Sequence, residues 1–571
     1  MSADVPAAAQ RWSSGRWSLE VRGDELADVR CDGHVVLRAI RAVARDEDWA
    51  TAWPREIRVD AHADALTLHL EIADLGLDLA GALRVMADGD RLRVDLDLAA
   101  RSDSSTNRTG LVVLHPPQLA GTPLQVTHPD GAVSEIAFPV QVSPHQPARD
   151  IAGLAWAADG LPLRLELAGE VFEMEDQRNW TDASFKTYSR PLDEPFPYLL
   201  PAGEGVRQSL VLTAGARAGG TADGVRAASA ADGDAAVASP EQLTWHSGGI
   251  VPRIGTGHLD LELADPDWPT RLDAALAGAL DTALTDAGSG FALWVVSPSP
   301  AHPSALAELG RRLTAAVEAG AELRFVGIAD ADRHVTTAEL AAALRAVLPE
   351  GIPVVGGARS HYTELNREWG TVLAADPSAL AFATTPLFHT LETEQLIEAV
   401  AMQRLLAEQL TARAPGLPVH VGPITLLARF ANVATRPQAV PVPAPPSDPR
   451  AGTPLHAAWV VASAAALSVA GVASLTFGDA DVFPAGETSS AGETSSAGGP
   501  GPVHDPASPV SALAGLAGRP LTTGRSADSL IWAIGDGESL LLANLSPRPR
   551  RVLLPGRDVP LTLDPISWSA L

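Results

Sequence analysis

The densest group of polar side chains in the sequence lies between residues 172 and 188. The stretch reads Phe172-Glu-Met-Glu-Asp-Gln-Arg-Asn-Trp-Thr-Asp-Ala-Ser-Phe-Lys-Thr-Tyr188. It begins as a strand, with Phe172 and Met174 on one face and two glutamates on the other. The polar groups that follow can satisfy one another in a buried ion-pair network between domains, or converge on a polyhydroxylated ligand. The candidate ligand-binding residues of this stretch are Arg178, Asn179, Trp180, Lys186 and Tyr188.

Lys186 is the single lysine among 42 basic residues; the others are all arginine. An ammonium and a guanidinium differ in size, hydration and hydrogen-bond geometry, so they are not interchangeable in a site. The retention of one lysine therefore indicates a position that needs an ammonium group.

A second polar tract reads Gly356-Gly-Ala-Arg-Ser-His-Tyr-Thr-Glu-Leu-Asn-Arg367 and follows a predicted strand over Pro353–Gly356. In a parallel (β/α) barrel, catalytic groups lie at the carboxyl ends of the strands. We therefore take Glu364 as a candidate general base or acid. The competing interpretation is a solvated loop in which Glu364 pairs with Arg367. The candidate substrate-binding residues of this tract are Tyr362, Asn366 and Arg367.

Three later strand ends carry further candidates, namely His389, Arg429 and Asp479. Asp479 supplies a second carboxylate to act with Glu364 in acid–base chemistry. His389, together with the cations of Arg429 and Lys186, would bind hydroxyl groups and stabilise a developing oxyanion. A histidine after a strand is also often structural, so both interpretations of His389 stay open.

Several signatures of other enzyme classes are missing. The sequence has neither a Gly-x-Ser-x-Gly elbow nor a His-Glu-x-x-His motif. With one cysteine, Cys31, it has no disulfide framework and no Cys-rich metal site. The acidic and histidine residues at 258–260 and 330–334 are of metal-ligand type, but no further converging ligands can be assigned. We therefore predict no metal and no cofactor.

The elements that must position these residues change character along the chain. From Trp17 to about Ala214, short runs of alternating apolar residues predict an antiparallel β-sandwich. Between about 245 and 480, strands alternate with helices, which predicts a TIM-type barrel. The cramped segment Arg253–Leu263 indicates that the first strand–helix unit is degraded, and Thr336 with Glu339 predicts a capping box. The predicted boundaries are 12–214 for the sandwich, 215–240 for a linker, 241–480 for the barrel, 481–518 for a low-complexity loop and barrel tail, and 519–571 for a small C-terminal β domain.

Composition excludes some partners. The chain has 571 residues, and 42 basic against 69 acidic residues give a net charge of −27. Such a field repels nucleic acid and anionic membranes. No apolar run reaches the roughly 18 residues that a membrane span needs, and no signal peptide is apparent. We expect a soluble cytoplasmic protein with a small-molecule substrate; the oligomeric state stays open.

The residues at 172–188 and 364–367 closely resemble those of the D-apionate lactonase family. The resemblance extends to Arg45-Asp-Glu-Asp-Trp49, Asn107-Arg-Thr-Gly110, His115-Pro116 and His128-Pro-Asp-Gly131. It implies a β-sandwich, a TIM barrel and a C-terminal β domain. It also implies hydrolysis of the sugar lactone D-apionolactone to D-apionate in apiose catabolism.

The resemblance is incomplete at two strand ends. Where the family has a glutamate after its last barrel strand, this chain has Phe477-Gly-Asp-Ala-Asp481, and Ala431 replaces an expected asparagine. A carboxylate that is one methylene shorter is displaced by about 1.5 Å, and misplacement on that scale can reduce a rate about 100-fold. Weakened activity, a changed substrate or inactivity are therefore compatible with the sequence.

Two other functions remain compatible with the residues. A barrel with two acidic groups at strand ends also suits a glycoside hydrolase. The altered tract at 477–481 equally suits a non-catalytic sugar-binding member of the lactonase family.

Overall fold

The computed structural model describes residues 10–217, 239–283, 291–430, 447–478 and 508–571. The predicted fold class is confirmed: a β-sandwich precedes a parallel barrel, and a small β domain follows. In the described residues, no helix combines the length and hydrophobicity that crossing a membrane requires.

The N-terminal domain contains nineteen strands and two short 3-10 helices, Pro117–Leu119 and Gln177–Trp180. The strands are β1 Gln10–Ser14, β2 Trp17–Arg22, β3 Glu25–Cys31, β4 His34–Arg45, β5 Pro54–Ala61, β6 Ala65–Asp74, β7 Leu77–Asp88, β8 Arg91–Ala100, β9 Ser104–Thr106, β10 Arg108–His115, β11 Pro123–Thr127, β12 Val133–Ala137, β13 Ala148–Ile151, β14 Gly153–Ala158, β15 Leu161–Ala168, β16 Phe172–Asp176, β17 Phe185–Ser189, β18 Tyr198–Leu200 and β19 Gly205–Ala214.

These strands form two large sheets and a small two-stranded ladder of β9 and β18. The eight-stranded sheet has the order β1-β2-β3-β4-β10-β17-β16-β13, and the nine-stranded sheet has the order β12-β11-β14-β15-β19-β8-β7-β6-β5. Alternating residues such as Leu66, Leu68 and Leu70 are buried in the core between the sheets. The second face of the eight-stranded sheet is turned toward the barrel.

Between residues 251 and 478, the described part of the barrel contains eight parallel strands and seven helices. The strands are β22 Arg253–Gly255, β23 His258–Glu262, β24 Phe291–Ser297, β25 Leu323–Asp330, β26 Val354–Gly357, β27 Leu380–Thr384, β28 Val419–Ile424 and β29 Val472–Phe477. The helices are α1 Trp268–Ala283, α2 Pro303–Glu318, α3 Ala338–Arg345, α4 Tyr362–Arg367, α5 Trp369–Ala374, α6 Thr393–Arg413 and α7 Pro454–Leu467.

The beginning of the barrel is degraded, as predicted. Only Thr256 and Gly257 separate β22 from β23, so no helix lies between these two described strands. β22 pairs with β29, whereas β23 pairs with β24. The extended segment 253–262 therefore closes the barrel: its first half, β22, pairs with the last strand, β29, and its second half, β23, pairs with β24.

Large side chains fill the barrel interior. Leu293 and Val295 of β24 pack against the surrounding helices, whereas Trp294 and Phe325 belong to a separate buried cluster. A Cβ at Gly327 would approach the Trp294 ring to 2.8 Å, so glycine leaves room for the indole. Catalytic space must therefore lie at the strand ends and not along the barrel axis.

One local prediction in the barrel was wrong. The N-cap of α3 is Thr337, whose hydroxyl accepts a hydrogen bond from the Leu340 amide, and not Thr336. The Thr336 hydroxyl instead donates to the carbonyl of Ile328 over 2.8 Å. The capping side chain was therefore assigned one residue too early, because two adjacent threonines fit the same pattern.

The C-terminal domain also includes residues that precede the barrel. Its elements are β20 Glu241–Gln242, β21 Thr244–Ile250, β30 Pro520–Arg525, β31 Ile531–Gly535, β32 Leu540–Asn544, β33 Arg550–Leu553, β34 Leu561–Leu563 and β35 Ser567–Ala570. The short helix α8, Pro509–Ala514, precedes β30 and packs against α7 and β22 of the barrel. β21 pairs with β30 and β20 pairs with β33. Residues 241–250 thus lie in the C-terminal sheets, whereas the sequence boundary placed them in the barrel. Most of the predicted linker and of the low-complexity loop falls outside the described residues.

Candidate active site

A small polar cavity of about 30 Å³, partly open to solvent, lies between the eight-stranded sheet and the barrel. The sandwich supplies side chains of β4, β10 and β17, and the barrel supplies residues after β27 and at the start of α6. The polar and charged lining residues are Glu25, Arg38, Arg41, Arg45, Arg108, Gln177, Asp182, Ser184, Lys186, Tyr188, His389, Thr390 and Gln395. Of the residues predicted from the sequence, the cavity brings together Lys186, Tyr188 and His389.

Strand register explains how the sandwich presents these charges. Arg45 of β4 lies directly opposite Arg108 of β10, and Lys186 of β17 lies opposite Glu175 of β16. Because side chains alternate between the faces of a strand, Lys186 and Tyr188 share the face that is turned away from the sandwich core.

Lys186 forms a buried ion pair on this face. Its Nζ lies 2.8 Å from Oε2 of Glu175, and the Arg367 guanidinium lies 3.6 Å from the other carboxylate oxygen. Burial lowers the pKa of Lys186, and Glu175 opposes that effect. Burial would raise the pKa of Glu175, but Lys186 and Arg367 bring it down to about 2. Glu175 is therefore an ionised partner that holds the ammonium at the cavity wall.

Asp182 and His389 form a second pair across the two domains. Oδ2 of Asp182 lies 2.9 Å from Nδ1 of His389. Burial raises the pKa of Asp182 to about 8 and lowers the pKa of His389 well below its usual value. A protonated Asp182 then donates to Nδ1, which leaves the proton of the neutral ring on Nε2. In this state His389 is a hydrogen-bond donor.

Tyr188 is buried and hydrogen-bonded. Its hydroxyl donates to Glu173, and burial raises the pKa of the phenol well above its usual value. The Arg108 guanidinium stacks over the Tyr188 ring at 3.9 Å. Tyr188 therefore provides a neutral aromatic surface beside the cations.

Arg178 binds protein groups in the domain seam. Its guanidinium makes hydrogen bonds of 2.8 and 2.7 Å to the two carboxylate oxygens of Asp176 and one of 2.7 Å to the carbonyl of Pro139. It also stacks over Phe185 at 4.4 Å. All of these partners belong to the sandwich, so the Arg178 side chain is bonded within that domain.

Asn179 and Asn366 connect the sandwich to the barrel. Nδ2 of Asn366 donates to Oδ1 of Asn179 over 2.9 Å and to the carbonyl of Val142 over 3.0 Å. Nδ2 of Asn179 donates to the Ser143 carbonyl, while Arg413 donates to Oδ1 of Asn366 over 2.7 Å. These amides are bonded within the protein at the seam.

Aromatic residues complete the seam. The Trp180 ring meets His389 edge-on with centroids 5.4 Å apart, and Arg367 lies over Trp180 at 5.1 Å. Tyr362 is buried against Phe382, with ring centroids 5.5 Å apart. Trp180 thus helps to fix the histidine, and Tyr362 packs in the barrel core.

Glu364 lies at the carboxyl end of β26, in the first turn of α4. Its carboxylate accepts a hydrogen bond of 2.8 Å from the Ser360 hydroxyl, and only 9% of the residue is exposed. The tract is therefore a buried helix and not the solvated loop that was considered as an alternative. Glu364 lies at the expected end of the barrel but does not line the cavity.

Arg429 takes part in an ion-pair network at the barrel mouth. It pairs with Asp260 and donates to the Arg359 carbonyl over 2.8 Å, and Arg359 lies 3.3 Å from Glu262. Asp479 lies outside the described residues. Across the described ranges, no group of three histidine, cysteine or acidic residues is arranged to hold a metal.

Sequence analysis did not select the cavity arginines as candidates. Arg45 and Arg108 nevertheless begin or lie within two of the motifs that carried the family resemblance, Arg45-Asp-Glu-Asp-Trp49 and Asn107-Arg-Thr-Gly110. These motifs could therefore have identified both arginines from the sequence. The pairing of β4 with β10, which brings the two residues face to face, could not be predicted from the sequence.

Comparison with protein families agrees with this architecture. The model of the D-apionate lactonase N-terminal domain matches residues 1–217, and that of the D-apionate lactonase TIM barrel domain matches residues 258–517. The sandwich, the barrel and the polar groups at their junction thus define a lactonase-like multidomain protein. The chain belongs to the D-apionate lactonase family.

A curated relative spans almost the whole chain. The protein named D-apionate lactonase from Brucella anthropi is 28% identical over 603 residues, which cover 97% of this chain and 95% of the relative. This homology supports a lactonase-like hydrolase.

Two solved structures illustrate distant similarity to this chain. A putative aldose 1-epimerase from Escherichia coli is 13% identical, with a TM-score of 0.28, and covers 36% of this chain and 99% of its own. A family 36 α-galactosidase from Geobacillus stearothermophilus is 10% identical, with a TM-score of 0.25, and covers 99% of both chains. At these TM-scores neither match carries an argument.

Proposed function

We propose that this protein hydrolyses the sugar lactone D-apionolactone to D-apionate in apiose catabolism. The observation that carries the proposal is membership of both large domains in the D-apionate lactonase family. A relative of that name, aligned over nearly the full chain, supports the same reaction.

The reaction needs a base, a site for negative charge and a proton for the leaving oxygen. Water attacks the lactone carbonyl carbon and gives a proton to the base. The ring C–O bond then breaks, and the ring oxygen takes up a proton to become a hydroxyl. We assign Glu364 as the base, because it is a buried carboxylate at the catalytic end of the barrel and Ser360 fixes its orientation.

Groups from both domains complete the proposed site. His389 and Lys186 bind hydroxyls and stabilise the oxyanion, since both line the cavity beside the barrel. Arg429 serves the same purpose at the barrel mouth, and Asp479 remains the proposed second carboxylate. Tyr188 and Trp180 provide aromatic surface for the substrate.

The remaining predicted substrate-binding residues lie in or next to the domain seam. In this proposal they act by holding the site's walls in place, because their polar atoms bond protein groups. They are Arg178, Asn179, Tyr362, Asn366 and Arg367.

The test is acid release from D-apionolactone and other aldonolactones, followed in a pH-stat. Wild-type protein should release acid. Glu364→Gln should lose about 100-fold or more of kcat, because the amide cannot accept the proton. Glu166→Gln, an exposed carboxylate on β15, is the matched control and should retain the wild-type rate.

Three outcomes would contradict the proposal. An unchanged rate in Glu364→Gln would remove the assigned base. Wild-type protein that cleaves glycosides but no lactone would instead be a glycoside hydrolase, and protein that binds sugars without turnover would be a sugar-binding member of the family.

A further inference from the structure

The cavity wall contains two arginines in an unfavourable arrangement. Arg45 and Arg108 occupy directly opposed positions on neighbouring antiparallel strands. Like charges in such positions repel each other and destabilise the sheet. Burial and the neighbouring Arg108 lower the pKa of Arg45 to about 10, although Glu175 and Asp182 act in the opposite direction.

Neither guanidinium has a carboxylate partner among the described residues. Arg45 donates to the Trp49 carbonyl over 2.7 Å, and Arg108 donates to the Arg190 carbonyl over 2.9 Å. Arg108 is only 6% exposed, and its Nε has no hydrogen-bond partner. A buried charge without a counter-ion is costly, so the arrangement implies a missing anion.

The nearby acidic groups are already engaged. Glu175 binds Lys186, and Asp182 binds His389. Glu25 pairs with Arg38 at 2.5 Å. Three of the five cationic side chains that line the cavity, Arg38, Arg41 and Lys186, are each paired with a carboxylate. Arg45 and Arg108 remain without one among the described residues.

We propose that this cavity binds the carboxylate group of a small hydroxy-carboxylate between Arg45 and Arg108. A planar carboxylate matches the donor geometry of guanidinium groups. The neutral polar side chains of Gln177, Ser184, Thr390 and Gln395 line the same space and can bind hydroxyl groups. The identification of the ligand as an open-chain sugar acid rests on the proposed lactonase function; the need for an anion rests on the charges alone.

The binding test uses isothermal titration calorimetry with sodium D-erythronate, a four-carbon sugar acid. Neutral D-erythronolactone and sodium phosphate are the comparison ligands. Wild-type protein should bind erythronate more tightly than the lactone or phosphate. Arg45→Gln and Arg108→Gln should each weaken erythronate binding at least tenfold, because each removes a charge-assisted hydrogen bond.

Arg164→Gln is the matched control. Arg164 is an exposed arginine on β15 that pairs with Glu166, and its loss should leave erythronate binding unchanged. Wild-type protein without measurable erythronate binding would overturn the proposal. The proposal would also be overturned if Arg45→Gln and Arg108→Gln bound erythronate as tightly as wild type does. Tighter binding of phosphate than of erythronate by wild-type protein would overturn it as well.

A second measurement needs no substitution. Because Lys186 is the only lysine, protein labelled with [ε-13C]lysine gives one lysine side-chain NMR signal from the cavity wall. Erythronate should shift this signal, whereas chloride at equal ionic strength should not. A signal that erythronate leaves unmoved at saturating concentration would contradict the assignment even if the variants failed to fold.

The outcomes separate this inference from the proposed function. Erythronate binding that depends on Arg45, without hydrolysis of any lactone, would support the anion site and reject lactonase activity. Lactone hydrolysis without erythronate binding would support lactonase activity and reject the anion site.

Discussion

At the scale of single residues, the protonation state of Asp182 determines which ring nitrogen of His389 carries the proton. While Asp182 is protonated, it donates to Nδ1, and His389 keeps its proton on Nε2, which in the proposed mechanism donates to the developing oxyanion. Burial raises the pKa of Asp182 to about 8, so the carboxyl ionises as the pH rises through that region. The proton on the ring then moves to Nδ1, and the Nε2 donor is lost.

We therefore predict that kcat for lactone hydrolysis falls as the pH rises through about 8. Asp182→Asn should remove this decline, because its amide nitrogen donates permanently to Nδ1 and keeps the proton on Nε2. The measurement is a pH–rate profile corrected for spontaneous lactone hydrolysis. An alkaline decline that persists unchanged in Asp182→Asn would show that another group causes it.

At the scale of elements, Gly357 shows how closely the catalytic end of the barrel is packed. Its φ is +150°, and a Cβ there would lie 1.9 Å from the Ala381 carbonyl oxygen of β27. We expect Gly357→Ala to reduce the free energy of unfolding by about 1–3 kcal/mol or more, because backbone must move to admit the methyl group. Urea denaturation measures the change.

Gly370→Ala provides the control for this substitution. Gly370 lies in α5, and a Cβ there meets nothing within 4 Å. Alanine should therefore be neutral or stabilising by up to about 1 kcal/mol. Equal stability of Gly357→Ala and wild type would mean that β26 and β27 are less closely packed than the structure indicates.

Some structural elements could be predicted from the sequence, whereas others could not. Local periodicity predicted the alternation of strands and helices in the barrel, and the predicted strand Pro353–Gly356 corresponds to β26, Val354–Gly357. The placement of β21 in the C-terminal sheet has no local signal, because its partner β30 lies far along the chain. The rarity of lysine singled out Lys186. Its proximity to Arg45 and Arg108 could not be predicted, because these residues lie far from it along the chain.

At the scale of the whole molecule, the site depends on the contact between two domains. Asp182 and Lys186 come from the sandwich, whereas His389 comes from the barrel. The Asn179–Asn366 hydrogen bond and the 3.0 Å ion pair between Arg38 and Glu398 hold these surfaces together. Sequence analysis identified residues on both sides, but the pairing between them follows from tertiary packing.

The net charge of −27 should affect release of an anionic product. Exposed charges act over about 30 Å at 10 mM salt but only about 10 Å at 100 mM, whereas buried groups such as Arg108 are screened much less. The repulsive field around the molecule is therefore the part that salt removes. We predict that product inhibition by D-apionate weakens, with an inhibition constant that rises a few-fold, when salt is lowered from 100 to about 10 mM. The KM of the neutral lactone is the internal control and should change little. Stronger product inhibition at low salt would instead show that the cavity cations, and not the overall charge, govern how the acid enters and leaves.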